Sequence, residues 1–282
     1  MDTRPDILVL GGGGVAGINW LAGVLAGIED GSGVSFAECE YFVGTSAGSI
    51  VCARLARGIA LRRPTQQSTT DEPRPSPNGV PNWVMAVASP VASIGLRLAS
   101  RPGAMARAVA LGLMPPPSSE LGPIEGIDGG WDGRLRVVAV ERRTGKRVVF
   151  GSPGAPDATV LEAVRASCSV PWAFPPTQIG GVDYVDGGIW SPTSIDVAPA
   201  RSGSRVLCLC PTGSSFGALP LALRAGSRAA VLVEASAARA RGAGIRLIFP
   251  DRGVAEAMGR DLMADESADR VRAAGYQQGL RL

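Results

Sequence analysis

Short apolar runs and longer amphipathic stretches follow each other in the first part of the chain. Residues 7–10 form a continuous apolar run, which predicts a strand buried on both faces. Residues 15–30 show the spacing of a helix that ends at Gly31. Residues 40–43 predict a second buried strand, and residues 47–62 predict the helix that follows it. Because strand and helix occur twice in this order, the pattern predicts an α/β fold with a mostly parallel sheet.

The rest of the chain continues this mixture of strands and helices. Thr159 and Glu162 form a capping-box pattern that opens a helix reaching about Ser167. Thr144 and Gly145 lie between two apolar runs and predict a hairpin turn. The pattern predicts further strands at 134–140, 147–150, 178–179, 182–185, 205–210 and 245–249, and long helices at 218–241 and 254–278.

The segment between residues 64 and 114 differs from its surroundings. Residues 64–81 lack apolar periodicity and are rich in Pro, Ser and Thr, so we expect a mobile loop. Residues 82–114 combine a helical pattern of large apolar side chains with arginines, a mixture typical of a helix at a membrane interface. We expect a helical cap or lid here, and an ordinary buried helical hairpin is the alternative. Nothing in the pattern divides the chain, so we predict a single domain over residues 1–282.

Charge and hydropathy exclude several classes of protein. The formal charge is +3 and the 28 basic residues are spread along the chain, which argues against a nucleic-acid surface. Mild attraction to an anionic lipid surface is compatible with this balance. Residues 1–6 do not resemble a signal peptide, and the longest uncharged apolar stretch, 83–96, is too short to span a membrane. We expect a cytoplasmic protein, free or bound peripherally at a membrane, and the sequence leaves its oligomeric state open.

The chain contains no histidine. Ser-His-Asp and Cys-His catalysis are therefore excluded within this chain, and so is any His-ligated metal site. The cysteines form no C-x-x-C pair and lie in apolar surroundings, so we expect free, buried thiols that bind no metal. They are Cys39, Cys52, Cys168, Cys208 and Cys210.

A G-x-S-x-G motif, Gly44-Thr45-Ser46-Ala47-Gly48, lies between a predicted strand and a predicted helix. Small residues at Gly44 and Gly48 permit a strained turn that lifts the Ser46 hydroxyl clear of the backbone. The N-terminus of the following helix favours negative charge at this point. A simple Gly-Ser turn is the alternative, since five-residue matches occur by chance. Ser46 is thus the candidate nucleophile.

A glycine-rich run, residues 11–17, follows the first strand and opens the first helix. The amides of Gly12, Gly13 and Gly14 can point at an anion, either a phosphate or the oxyanion of a tetrahedral intermediate. The run also satisfies G-x-G-x-x-G, so a nucleotide-binding loop is the alternative. That motif expects an acidic residue at the end of the second strand, whereas Glu40 lies at its start.

In the absence of an imidazole, Ser46 needs a carboxylate or the single lysine, Lys146, as its base. Asp186 follows a short apolar strand and precedes Gly187 and Gly188, which free the backbone to present a carboxylate on a tight loop. An ordinary D-G-G turn is the alternative. Because an exposed Asp with a pKa of about 3.9 is a poor base, we expect a partly desolvated site.

Four motifs follow one another along the chain: Gly12-Gly13-Gly14-x-x-Gly17, Gly44-x-Ser46-x-Gly48, residues 166–176 (ASCSVPWAFPP) and Asp186-Gly187-Gly188. Their order and spacing resemble the patatin-like phospholipase family. The resemblance covers roughly residues 7–189, about two thirds of the chain. Each motif is weak alone, but their order is specific.

The resemblance implies a three-layer α/β/α fold and a catalytic pair of Ser46 and Asp186, with an oxyanion hole in the glycine-rich loop. It also implies lipid acyl-ester substrates and no metal or cofactor. One position departs from the family pattern: Ala16 stands where the family commonly has Arg or Lys. A catalytically weak relative that binds lipid or acts as a scaffold is therefore the alternative function, and Arg at position 16 should raise activity if Ala16 is a handicap.

Overall fold

The computed structural model describes residues 4–64 and 119–282, except residue 172, together with residues 108, 111, 112 and 117. Of the predicted loop at 64–81 only Pro64 is described, so this prediction lies outside the described residues. The predicted cap at 82–114 likewise lies outside them, apart from Ala108, Leu111 and Gly112.

One sheet forms the centre of the described structure, in the order β5-β6-β3-β2-β1-β7-β8, with β4 paired to β3. The five strands β3, β2, β1, β7 and β8 run parallel, and the remaining pairs are antiparallel. The predicted mostly parallel sheet is confirmed. The strands are β1 (Ile7–Leu10), β2 (Tyr41–Thr45), β3 (Leu135–Glu141), β4 (Arg147–Phe150), β5 (Thr177–Ile179), β6 (Val182–Asp186), β7 (Arg205–Leu209) and β8 (Gly244–Ile248).

Helices cover both faces of this sheet. Leu8 and Leu10 of β1 point to the face that carries most of the helices, whereas Val9 points to the face covered by Val231 of α4. The α/β/α arrangement of three layers follows from this alternation. The helices are α1 (Gly14–Ser32), α2 (Ala47–Ala56), α3 (Val160–Cys168), α4 (Leu221–Ala240), α5 (Arg252–Met258) and α6 (Ala268–Leu280).

Two predicted helices end earlier than expected, and glycine explains both. The helix predicted for 47–62 stops at Ala56, and Gly58 adopts a φ of 70° just beyond it. The helix predicted for 254–278 is wrong: α5 ends before Gly259, whose φ is 66°, and α6 begins at Ala268. The predicted capping box of Thr159 is confirmed at the start of α3.

β3 brings the ends of β2 and β6 together. β2 runs parallel to β3 and pairs with residues 135–138, whereas β6 runs antiparallel and pairs with residues 139–141. β4 pairs with residues 137–140, which overlap both of these ranges, so β4 lies along the opposite edge of β3. β2 and β6 therefore lie along the same edge of β3 and meet end to end. The residue that follows β2 therefore lies beside the residue that ends β6.

Candidate active site

Ser46 lies in a sharp turn between β2 and α2. Its φ of 52° and ψ of −124° place a residue with a Cβ in a region that L-residues rarely adopt. Hydrogen bonds hold this strained backbone: the Ser46 N–H donates to Ser167 Oγ at 2.8 Å, and the Ser49 hydroxyl donates to Ser46 O at 2.6 Å. Ser167 Oγ in turn donates to Val138 O of β3 at 2.6 Å. The turn is thus fixed to the sheet.

Two glycines allow this turn to pack closely. A Cβ at Gly48 would overlap the carbonyl oxygen of Leu10, and one at Gly44 would overlap the Cα of Ser49. Only hydrogen at these positions lets the first turn of α2 lie against the ends of β1 and β2. The structure therefore gives Gly44 and Gly48 the role that the G-x-S-x-G motif predicts.

The glycine-rich loop lies directly against the turn. A Cβ at Gly12 would lie 3.2 Å from Ser46 Cβ and 3.8 Å from Ser46 Oγ. The Gly12 N–H donates to Pro192 O at 2.9 Å, so this amide is already engaged. Within the described part of the chain, the N–H groups of Gly13 and Gly14 have no hydrogen-bond acceptor. Of the three amides predicted to form an oxyanion hole, that of Gly12 is hydrogen-bonded to Pro192 O, and those of Gly13 and Gly14 have no acceptor among the described residues.

Asp186 ends β6 and has only 5% of its surface exposed. Burial raises the pKa of its carboxyl to about 6, and the Ser46 hydroxyl and the Gly188 N–H each lower it in part. The Gly188 N–H donates to Oδ1 at 2.6 Å. A Cβ at Gly187 would overlap Val138 O, so glycine is needed where the chain turns away from β3. The expected desolvated carboxylate is present.

The two carboxylate oxygens of Asp186 differ in their hydrogen bonding. Oδ2 is buried and has no hydrogen-bond partner among the described residues. The Ser46 hydroxyl lowers the pKa of Asp186, so the two groups interact, although no well-formed hydrogen bond joins them. Catalytic hydrogen bonds are often long before substrate binds. An unpaired, buried acceptor beside a serine hydroxyl can take up its proton.

An apolar cluster includes the residues that flank Asp186 along the chain. Leu111, a described residue of the predicted cap, is buried in one cluster with Val140, Val185 and Ile189. Val185 precedes Asp186 directly, and Ile189 follows in the short helical turn after it. The chain on both sides of Asp186 is thus fixed by apolar packing, and Asp186 itself is buried.

Ala16 has no exposed surface, and its N–H donates to Leu262 O at 2.9 Å. The segment around Leu262 also touches Gly14, where a Cβ would lie 2.6 Å from Leu262 O. An arginine at position 16 would have to displace this segment. This protein thus has a fully buried alanine at the position where the family commonly has Arg or Lys.

Three other groups could in principle take the proton of Ser46, and each is exposed or paired elsewhere. Lys146 is exposed in the β3–β4 turn. Asp183 lies 3.8 Å from Arg142, and Asp196 pairs with Arg147 at 2.6 Å. Their carboxylates are paired with guanidinium groups, whereas Asp186 has no cationic partner in the ion pairs described.

The predicted state of the cysteines is confirmed: all five are buried and free. Cys208 and Cys210 lie in the same apolar cluster, on one face of the sheet. Over the described ranges, no group of three or more Cys, Asp and Glu side chains is arranged to hold a metal ion. Over the same ranges, no helix is long and apolar enough to cross a membrane.

Sequence reasoning missed the segment at residues 191–195. Pro192 O accepts the Gly12 N–H, and Thr193 O accepts the Thr45 hydroxyl at 3.4 Å. Glu234 of α4 contacts the same segment through Ile195 N–H at 3.0 Å. The one available signal was an acidic residue among the small and apolar side chains of the helix pattern at 218–241.

Comparisons with known proteins give a family match and two similar solved structures. The family model for patatin-like phospholipase matches residues 8–199. VipD from Legionella pneumophila is a similar solved structure, at 17% identity and a TM-score of 0.46, over 99% of this chain and 66% of that chain. The heterodimeric ExoU-SpcU complex from the type III secretion system of Pseudomonas aeruginosa is similar at 18% identity and a TM-score of 0.40, over 99% of this chain and 51% of that chain.

The chain thus spans about two thirds and about half of the lengths of those two chains. No curated protein sequence matches the chain significantly. The family match extends from β1 through the glycine-rich loop, the Ser46 turn and the Asp186 loop, and includes every residue of the candidate site. The chain therefore belongs to the patatin-like phospholipase family.

Proposed function

We propose that the protein is a serine acyl hydrolase that cleaves carboxylic esters of lipids with Ser46 as nucleophile and Asp186 as its only base. One observation carries the proposal: a serine on a strained strand-to-helix turn lies beside a buried carboxylate with an open oxygen and a pKa raised to about 6. A base with this pKa is largely ionised at neutral pH and is stronger than an exposed Asp. No imidazole is needed.

The first half-reaction forms an acyl-enzyme. Asp186 Oδ2 takes the proton of Ser46 Oγ as Oγ bonds to the acyl carbonyl carbon. The carbonyl electron pair moves to the oxygen, where the free amides of Gly13 and Gly14 and the N-terminal end of α1 stabilise the negative charge. The intermediate collapses by breaking the bond to the leaving alkoxide, which receives the proton from Asp186.

The second half-reaction releases the acid. Asp186 takes a proton from a water molecule, and the resulting hydroxide attacks the acyl carbon of the ester on Ser46. The second tetrahedral intermediate uses the same amides, and its collapse returns the proton to Ser46 Oγ. Membership of the patatin-like phospholipase family supports a lipid acyl ester as the substrate class.

A relative without catalysis is the second candidate, because Ala16 removes the cation that the family commonly has near this loop. Labelling with a fluorophosphonate, followed by peptide mapping, separates the two. We expect stoichiometric modification of Ser46 in the wild type and none in Ser46→Ala. Hydrolysis of a panel of phospholipids, lysophospholipids and neutral glycerides then identifies the preferred ester. A folded wild type that neither labels nor hydrolyses any of them would contradict the proposed activity and support a lipid-binding or scaffolding role.

A further inference from the structure

Glu234 is an acidic residue that the proposed reaction does not use. It lies on α4, where the buried side chains are small or apolar. Burial raises the pKa of its carboxyl to about 7, and the neighbouring Asp196 raises it further. Placing a carboxylate here is unfavourable unless it is hydrogen-bonded. Its partners therefore indicate what it does.

The partners of Glu234 all belong to one segment, residues 191–195. Its Oε2 accepts the Ile195 N–H at 3.0 Å and the Thr193 hydroxyl at 3.4 Å. Ser191 Oγ accepts the N–H groups of Thr193 at 3.3 Å and of Ser194 at 2.9 Å, and the Ser191 hydroxyl also lowers the pKa of Glu234. Glu234 thus binds Thr193 and Ile195 directly, and Ser191 supports the same segment from within.

The other side of segment 191–195 faces the candidate active site. Pro192 O accepts the Gly12 N–H at 2.9 Å, and Thr193 O accepts the Thr45 hydroxyl at 3.4 Å. Gly12 directly precedes Gly13, and Thr45 directly precedes Ser46. The segment is therefore hydrogen-bonded both to the glycine-rich loop and to the residue before Ser46. Its backbone is strained at Ser194, with a φ of 51°, and needs such support.

The charged groups that face Glu234 from neighbouring elements compensate each other. Asp196 raises its pKa and Arg147 of β4 lowers it. These two form a bidentate pair, with Arg147 donating to the two oxygens of Asp196 at 2.7 and 2.6 Å. The carboxyl of Glu234 is therefore not neutralised by a cation of its own, and its hydrogen bonds to segment 191–195 are the interactions that hold it.

We propose that Glu234 is a positioning residue for the Ser46–Asp186 site, which holds segment 191–195 and thereby fixes the glycine-rich loop against the nucleophile turn. The proposal rests on the proposed function for its kinetic consequences. Displacing the Gly13 and Gly14 amides weakens binding of the oxyanion, which exists only during the reaction. Loss of Glu234 should therefore lower kcat and leave KM nearly unchanged.

The test compares Glu234→Ala with Glu234→Gln. We expect Glu234→Ala to lose about 10- to 100-fold in kcat, the scale of a small misplacement of reacting groups. Glu234→Gln retains an acceptor oxygen and should keep most of the wild-type kcat. Val231→Ala is the matched control, because Val231 is buried on the same helix, one turn earlier, and its side chain has no polar group. It should lose stability without the same loss of kcat.

If Glu234→Ala does not fold, Thr193→Val removes the Thr193 hydroxyl that donates to Glu234 and should also lower kcat. A kcat of folded Glu234→Ala equal to the wild-type value, or an equal loss in Val231→Ala, would overturn the proposal. So would a Glu234→Gln variant as impaired as Glu234→Ala, because the acceptor oxygen would then not be what matters.

A second readout does not depend on hydrolysis. Amide hydrogen exchange of the peptide that contains residues 8–17 should be faster in Glu234→Ala than in Val231→Ala, since the Gly12 N–H would lose its fixed acceptor. Unchanged exchange would contradict the positioning role. If the wild type proved inactive while this exchange increased, the proposed function would fail and the positioning role would stand.

Discussion

Thr45 and Asp186 pair with consecutive residues of β3: Thr45 faces Val138, and Asp186 faces Ala139. The proposed nucleophile and the proposed base are therefore placed by the register of one sheet, in which β2 and β6 approach each other from opposite directions. A catalytic pair built on strand ends is held more rigidly than one carried by long loops. The same strand contributes Val138 O, which receives the Ser167 hydroxyl that supports the Ser46 turn.

The raised pKa of Asp186 predicts the acid limb of the rate profile. The base acts only when ionised, so kcat/KM should fall as the pH drops through about 6 and level off above it. Glu234 has a raised pKa as well. Glu234→Gln should nevertheless show the same fall of kcat/KM at low pH, because that fall reflects protonation of Asp186. Measuring kcat/KM between pH 4 and 9 in both proteins checks this, and a profile that stays flat down to about pH 4 would contradict a base of this pKa.

The same pKa predicts that Asp186 destabilises the folded protein at neutral pH. The folded-state pKa lies above the unfolded value, so the fold favours the neutral acid. The contribution of Asp186 to the free energy of unfolding is therefore fully present below about pH 4 and is lost as the pH rises through about 6. Asp186→Asn should therefore be more stable than the wild type at pH 8, by up to about 3 kcal/mol, with no difference near pH 4.

Denaturant unfolding at several pH values measures this difference. Asp183→Asn is the matched control, because Asp183 lies on the same strand, is partly exposed and is paired with Arg142. It should not become more stable at pH 8. A less stable Asp186→Asn at pH 8 would mean that the carboxylate is well solvated or paired in the folded protein.

The free amides of Gly13 and Gly14 predict a large effect of a side chain in this loop. A Cβ at Gly13 would lie 2.5 Å from Pro211 Cβ, so Gly13→Val must shift the loop and should lower turnover by about 10² to 10³. Gly13→Ala combined with Pro211→Gly regains space and should recover part of the loss relative to Gly13→Ala alone. Near-normal turnover in a folded Gly13→Val protein would place the oxyanion elsewhere.

The burial of Ala16 reverses the expectation formed from the sequence for this position. Because Ala16 has no exposed surface and its N–H is bound by Leu262 O, Ala16→Arg should lose at least about 3 kcal/mol of stability and should not gain activity. Ala16→Ser is the size control and should be affected much less. Thermal unfolding and ester hydrolysis measure both, and an Ala16→Arg protein that is stable and more active would show that the Leu262 segment moves aside readily.

Local patterns explain what the sequence could predict. The Ser46 turn is encoded by a strand, two glycines and a helix start within a few residues, so its geometry follows from neighbours in the chain. The parallel sheet follows from buried apolar runs alternating with helices. The end of α5 could not be predicted from the pattern, because Gly259 ends a helix whose amphipathic pattern continues beyond it.

Contacts between distant parts of the chain could not be predicted. Nothing near Gly12 indicates that its amide is bound by Pro192, nor does anything near Ala16 indicate that its N–H is bound by Leu262 O. Both facts depend on how a segment far along the chain packs at the carboxyl edge of the sheet. The motif order pointed to Asp186, but its burial and its open Oδ2 are properties of the assembled structure.

Ester hydrolysis by Asp186→Asn is the decisive measurement for the proposal that Asp186 takes the proton of Ser46. The substitution preserves shape and the acceptor for the Gly188 N–H, and removes the only base that the account gives to Ser46. With its fold verified by circular dichroism, this variant should lose nearly all ester hydrolysis, as should Ser46→Ala, and the double variant should be little worse than either, because the pair acts as one unit. Substantial hydrolysis by folded Asp186→Asn would contradict the account and show that another group takes the proton of Ser46.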